Sequence, residues 1–166
     1  MKLHSPESLA SRQSIYEVIA KHCRGLDRLD LDTIRRCYHE DASIESGPFK
    51  GNLADFLVWV AQSLEAYATT MHFITNHVVE LMGDMARAET HVLVFHTGQP
   101  YDDPDLNITQ VCRYVDELNS RDGIWRIASR VCVTESSLVV QPDDRQAIPS
   151  GIQVGARGEA DIIYHL

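Results

Sequence analysis

At Thr70 the rhythm of the chain changes. Up to that point apolar residues recur every three or four positions, and beyond it they alternate with polar ones. The first rhythm turns one face of a helix toward a core, and the second does the same for a strand. Helices first and strands after them describe an α+β protein rather than one built from alternating β and α units.

The helical half is legible in its punctuation. In "SPESLASRQSIYEVIAKHCRGLDRL", Ser5 suits an N-cap and Pro6 the first helical position. Ile15, Val18, Ile19, His22 and Leu26 form its apolar stripe, with Gly25 expected at the fraying end. Asp30 or Asp32 starts a second, short helix through Leu31, Ile34 and Tyr38. "HEDASIESGPFKGN" reads as a short strand over residues 43–45 and a turn at Gly47-Pro48. A third helix, "LADFLVWVAQSLEAYA", turns Leu53, Phe56, Leu57, Val60 and Leu64 inward.

Strands are then expected at about 70–82, 86–98, 108–119 and 124–137. "MGDM" and "NSRDG" carry hairpin chemistry, and "GQPYDDPDL" is a longer loop. By simple alternation, Arg130 falls on the face opposite Trp125 and Ile127. Beyond residue 140 the pattern is less regular. The expected division is a domain over residues 1–140 and a tail over 141–166, packed on that domain or on a neighbouring subunit.

At 166 residues the chain is long enough for one domain with a real core. Its net charge of −9 argues against nucleic acid or an anionic membrane as partner, since both call for basic patches. The apolar runs "FLVWV" and "VLVF" are too short to span a bilayer. "MKLHSPESLASRQ" lacks the apolar core of a signal peptide, so cytoplasm is the expected location. Cys23, Cys37, Cys112 and Cys132 show no paired spacing and are expected as free thiols. "HC" at 22–23 and "CYH" at 37–39 have no second half at a zinc-binding distance, and no metal is expected.

Motifs for phosphate cradling, zinc hydrolysis and serine nucleophiles are absent. What remains is a scatter of ionisable residues in apolar surroundings: His22, Asp27, His72, His96 and Arg130. Each has a bland reading. A strand histidine is ordinarily satisfied by a carbonyl, Asp27 can serve a turn, and Arg130 can pair at the surface. Together they offer a base near neutrality, a carboxylate to orient it, and a cation where negative charge develops. Tyr16, Ile19, Phe56, Trp59, Phe73, Val94 and Trp125 are expected to line an apolar pocket around them.

"GLDRLDLDTIRRCYHEDASIE", "TMHFITNH" and "DGIWRIASR" carry a resemblance. With the order of the helices, they make most of residues 8–137 similar to the SnoaL-like branch of the nuclear transport factor 2-like superfamily. The resemblance implies a cone-shaped barrel. Its strongly bent, mixed and mostly antiparallel sheet would enclose a pocket with three N-terminal helices. The lyase group, with scytalone dehydratase, hexachlorocyclohexane dehydrochlorinase and bile-acid dehydratase, looks most alike. In that group a histidine on the first long strand pairs with an aspartate after the first helix, and His72 and Asp27 fall at those positions. Arg130 matches an arginine of the dehydrochlorinase, and His96 lies at or near a second histidine of scytalone dehydratase. His22 replaces a lysine of the former, and Leu26 the tyrosine with which the latter holds the substrate carbonyl. Gln110 takes the place of a pocket asparagine.

The resemblance implies a lyase of dehydratase type, or an isomerase, that needs no cofactor. Its substrate would be a small apolar, cyclic, polyketide-like or steroid-like molecule. His72, Asp27 and Arg130 would be catalytic, with His22, His96, Tyr16, Phe56, Trp59 and Gln110 holding the substrate. The alternative is a module that only binds or assembles, like the small subunit of ring-hydroxylating dioxygenases. A homo-oligomer, trimer or dimer, is expected in either case.

Overall fold

Ser5 accepts a hydrogen bond from the Ser8 N–H at 3.2 Å, and Pro6 begins helix α1, Pro6–Arg28, in the computed structural model of the chain. The residues described are 5–98, 107–140 and 148–165. All but Gly98 of the "GQPYDDPDL" loop lies outside them. Ile15, Ile19, His22, Cys23 and Leu26 form the buried stripe of α1, with Val18 only half-buried.

Gly25 does not end this helix. The chain turns only at Leu29, whose φ is 52° and whose N–H reaches the carbonyls of Gly25 and Leu26. The glycine instead lets a second helix approach. A Cβ at Gly25 would meet Ile34 Cγ1 at 2.7 Å. Ile34 belongs to α2, Leu31–Arg36, which Asp30 caps through the Thr33 N–H at 2.9 Å.

Two short strands follow, β1 at Tyr38–Ser46 and β2 at Phe49–Asn52. The first is longer than expected, and the second was not expected at all. Asn52 caps α3, Leu53–Glu65. Leu53, Phe56, Leu57, Val60 and Leu64 are buried there as their spacing requires.

The alternating half gives four long strands: β3 at Thr69–Met82, β4 at Met85–Thr97, β5 at Asn107–Arg121 and β6 at Ile124–Val140. The β5–β6 turn has positive φ at both Asp122 and Gly123, which suits the right-handed twist of a two-residue hairpin. The sheet order is β2-β1-β6-β5-β4-β3. Only β1 and β6 run parallel, so the sheet is mixed and mostly antiparallel. It is open, with β2 and β3 as its edges, and does not close into a barrel. Its inner face is clearest on β4, where Ala86, Ala88, Thr90, Val92, Val94 and His96 are all buried. α1 and α3 supply the other side of the core.

Simple alternation fails on β6. Leu118 pairs with Ile127, but Glu117 pairs with Ser129, which leaves Ala128 as an extra residue. Such a bulge reverses the facing of the residues beyond it on the strand. Arg130 therefore shares the inner face with Trp125 and Ile127 instead of opposing them, and all three are buried.

Part of the tail lies against the helices. Arg157 Nη1 donates to the Leu64 carbonyl at 2.8 Å, and Arg28 Nε meets Asp161 Oδ2 at 3.0 Å. The Tyr164 hydroxyl donates to Asp30 Oδ2 at 2.9 Å. Among the described residues no helix is long and apolar enough to cross a membrane.

Alanine is the better helix former by about 1 kcal/mol, yet Gly25→Ala is expected to destabilise the fold by about 1–3 kcal/mol through overpacking. Urea unfolding checks this. A raised midpoint would show that α2 yields without cost.

Candidate active site

Asp27 stands on the last turn of α1, where the helix passes the open edge of β3. An edge strand has backbone groups with no neighbouring strand to meet. Asp27 Oδ2 accepts the His72 backbone N–H at 3.1 Å, and Arg12 Nη1 donates to the Val79 carbonyl at 2.6 Å. The second oxygen of Asp27 lies 2.6 Å from His72 Nδ1. A carboxylate can only accept, so Nδ1 carries the proton in this contact. That leaves Nε2 as the ring nitrogen with a free lone pair when the imidazole is neutral.

His72 is part of the wall of a cavity of about 430 Å³. That is within the range of small-molecule sites, about 300–1,000 Å³. His22, His96, Gln110 and Arg130 are in the same wall, with Phe56, Trp59 and Val94. Other residues expected there lie elsewhere. Tyr16 follows the α1 stripe by one residue and so points some way round the helix, 40% exposed, with its ring against His77. Phe73 follows His72 by one and packs on Phe95 across the outer face of the sheet. Ile19 is wholly within the core, and Trp125 lines a separate depression beside α1 and α2.

The three ring systems differ in electrostatics. His22 is fully buried among the rings of Tyr38, Phe56 and Tyr114. Burial, then the Arg130 charge and His72, hold its pKa well below the ordinary value, so it is neutral, and among the described residues its Nδ1 has no hydrogen-bond partner. His96 stacks on Tyr67 with 4.3 Å between centroids and touches Thr70 Oγ1 through Nδ1 at 3.1 Å. Burial, then His72, lowers its pKa to about 4. It too is neutral near pH 7, and its ring stands edge-on to His72 at 6.3 Å.

Arg130 is fully buried. Burial alone would favour loss of its charge, but the Asp116 carboxylate outweighs that and holds its pKa well above the ordinary value. Nε and Nη2 each donate to one Asp116 oxygen at 2.7 Å. The guanidinium also lies 4.0 Å over the Tyr114 ring, in the geometry of a cation–π contact. Among the described residues its Nη1 has no hydrogen-bond partner.

Sequence reasoning missed Asp116, Cys112 and Cys132. Asp116 had a signal, since it alternates inward between Tyr114 and Leu118 on β5. Cys112 is inward on β5 by the same rule, whereas Cys132 follows Arg130 inward only because of the Ala128 bulge. Asp116→Ala would leave a buried guanidinium uncompensated. It is expected to cost about 3–5 kcal/mol in urea unfolding. A near-native midpoint would mean that Arg130 finds another acceptor.

The model of the SnoaL-like domain matches residues 7–131. None of the curated proteins compared with the chain matches it. Among solved structures, a protein from Kribbella flavida is 25% identical with a TM-score of 0.70, covering 79% of this chain and 95% of its own. A type 2 hexachlorocyclohexane dehydrochlorinase is 20% identical with a TM-score of 0.74, covering 87% and 97%. A candidate scytalone dehydratase from Novosphingobium aromaticivorans is 19% identical with a TM-score of 0.70, covering 88% and 97%. At these identities the last two speak for the fold alone. The domain match extends over most of the chain, from α1 into β6, and the chain belongs to the SnoaL-like domain family.

Proposed function

We propose that this protein is a cofactor-independent lyase of the dehydratase type, acting on a small, apolar, cyclic molecule. The observation that carries the reading is the hold of Asp27 on His72, through ring and backbone together. A carboxylate that fixes the imidazole by Nδ1 sets Nε2 up as a base, and it favours the imidazolium formed when a proton is taken.

In the proposed reaction His72 Nε2 removes a proton from carbon next to a carbonyl. The released pair becomes the second bond of an alkene as a hydroxyl leaves, and the His72 imidazolium gives its proton to that hydroxyl, which departs as water. Negative charge builds on the carbonyl oxygen meanwhile. Arg130 Nη1 is the donor best suited to meet it, being charged, buried and uncommitted. His22 and His96 stay neutral and serve as hydrogen-bond partners rather than proton reservoirs. Phe56, Trp59 and Val94 give the apolar wall that a cyclic skeleton would fill.

Screening cyclic β-hydroxy ketones for the ultraviolet absorbance of a conjugated product tests the reading. On a substrate so found, His72→Ala is expected to lower kcat by about 10²–10⁴-fold. Asp27→Asn keeps an oxygen for the backbone N–H but cannot receive the imidazolium charge, and a loss of similar order is expected. Both variants should retain the native circular dichroism spectrum. Ligands that raise the melting temperature equally in wild type and His72→Ala, with no turnover in either, would sink the lyase and favour a binding module.

A further inference from the structure

Two thiols face the same cavity from adjacent strands. Cys112 pairs with Thr134 and Tyr114 with Cys132, so the cysteines are diagonal neighbours on the inner face of β5 and β6. Both are free, and the strand register sets them side by side in the cavity wall. Diagonal positions across an antiparallel pair are about 7–8 Å apart at Cα. A disulfide seldom spans more than about 6.8 Å, so this arrangement suits a shared proton better than an S–S bond.

Cys112 accepts from the Cys132 thiol and also from the Thr134 hydroxyl, and together these pull its pKa down against burial and the Glu135 charge. Cys132 is pushed the other way, first by the same hydrogen bond and then by burial. The remaining neighbours change little. Glu135 is tied to Arg113 on the outer face, and the charge of Arg130 is met by Asp116. Val92, opposite Cys112 on β4, is apolar, while His96 further along that strand and His22 from α1 are neutral. β3 contributes His72, held by Asp27. α3 brings only uncharged side chains to the cavity, and Ser46 of β1 is the register partner of Cys132. The other two thiols are of a different kind, since burial raises Cys23 to about 12 and Cys37 to about 11.

We propose that Cys112 is a covalent-capture site for a small, apolar, conjugated carbonyl compound that enters the cavity. The Cys112 sulfur donates a pair to the β-carbon and forms a C–S bond. The alkene pair moves to give an enolate, which takes one proton at the α-carbon. That proton replaces the one the thiol gave up, so a thiol and an enone become a β-thioether ketone with no oxidant or reductant. Cys132, diagonal to Cys112 on β6, is the positioning residue from which a thiol can donate to the Cys112 sulfur. The proposal stands on the cavity and the thiol pair, and it does not require proton abstraction by His72; the conjugated product of the proposed dehydration belongs to the captured class, so its addition to Cys112 would be product inhibition.

The test is labelling of the intact protein with 2-cyclohexen-1-one between pH 6 and pH 9, read by whole-protein mass and peptide mapping. One adduct is expected, on Cys112. Its rate should have a midpoint at least one pH unit below that of a simple thiol, about 8.5. Excess cyclohexanone, which fills the same space without reacting, should slow it. Cys112→Ser should abolish it, and Cys132→Ala should move the midpoint upward. The proposal is overturned by an adduct on Cys23, Cys37 or Cys132 in preference, by a profile that Cys132→Ala leaves unchanged, or by native protein that resists a reagent its urea-unfolded form takes up.

Discussion

The meeting of α1 with the open edge of β3 holds the architecture and the candidate site together. β3 has β4 on one side and no strand on the other. Its outward backbone groups need partners, and a sheet edge left bare invites pairing with another chain. α1 supplies those partners from side chains 15 residues apart on the helix, Arg12 and Asp27. The contact also fixes the inclination of the helix, and so the space left between it and the sheet. Close packing of α2 on Gly25 adds to this by holding the last turn of α1, which carries Asp27.

The cavity that results holds little net charge, despite its many ionisable residues. His22 and His96 are kept neutral by burial and by their neighbours. Arg130 is charged, but two short hydrogen bonds to Asp116 offset it. Asp27 stands behind His72 and is not part of the cavity wall. An apolar guest thus meets aromatic and aliphatic walls, with donors at a few places only. In such surroundings a charge formed during reaction interacts strongly with whatever faces it.

Much of the fold was legible before the structure. The change of period at Thr70 separated helices from strands, and the stripe of α3 was correct at every position. Failures came where local pattern was silent or misleading. "FKGN" has almost no strand signature, and β2 forms because it can pair with β1. Gly25 looked like a helix end, although close packing was its purpose. Tyr16 and Phe73 were each one residue from a correct position, which in a helix means another direction and in a strand the other face. The Ala128 bulge is invisible to alternation, and with it the inward turn of Arg130. The closeness of Asp27 and His72 could be suspected only from family resemblance, because 45 residues separate them and no periodicity links a helix end to a distant strand.

Asp27 has two employments, and this bears on how the family diversifies. One oxygen serves the backbone of an edge strand, and the other serves an imidazole. A descendant that had lost its chemistry would still need the first. Selection for folding alone would then retain the aspartate, while His72, whose backbone N–H survives any substitution but proline, would be free to drift. The aspartate thus answers to the edge strand as well as to the cavity, whereas the imidazole answers to the cavity alone.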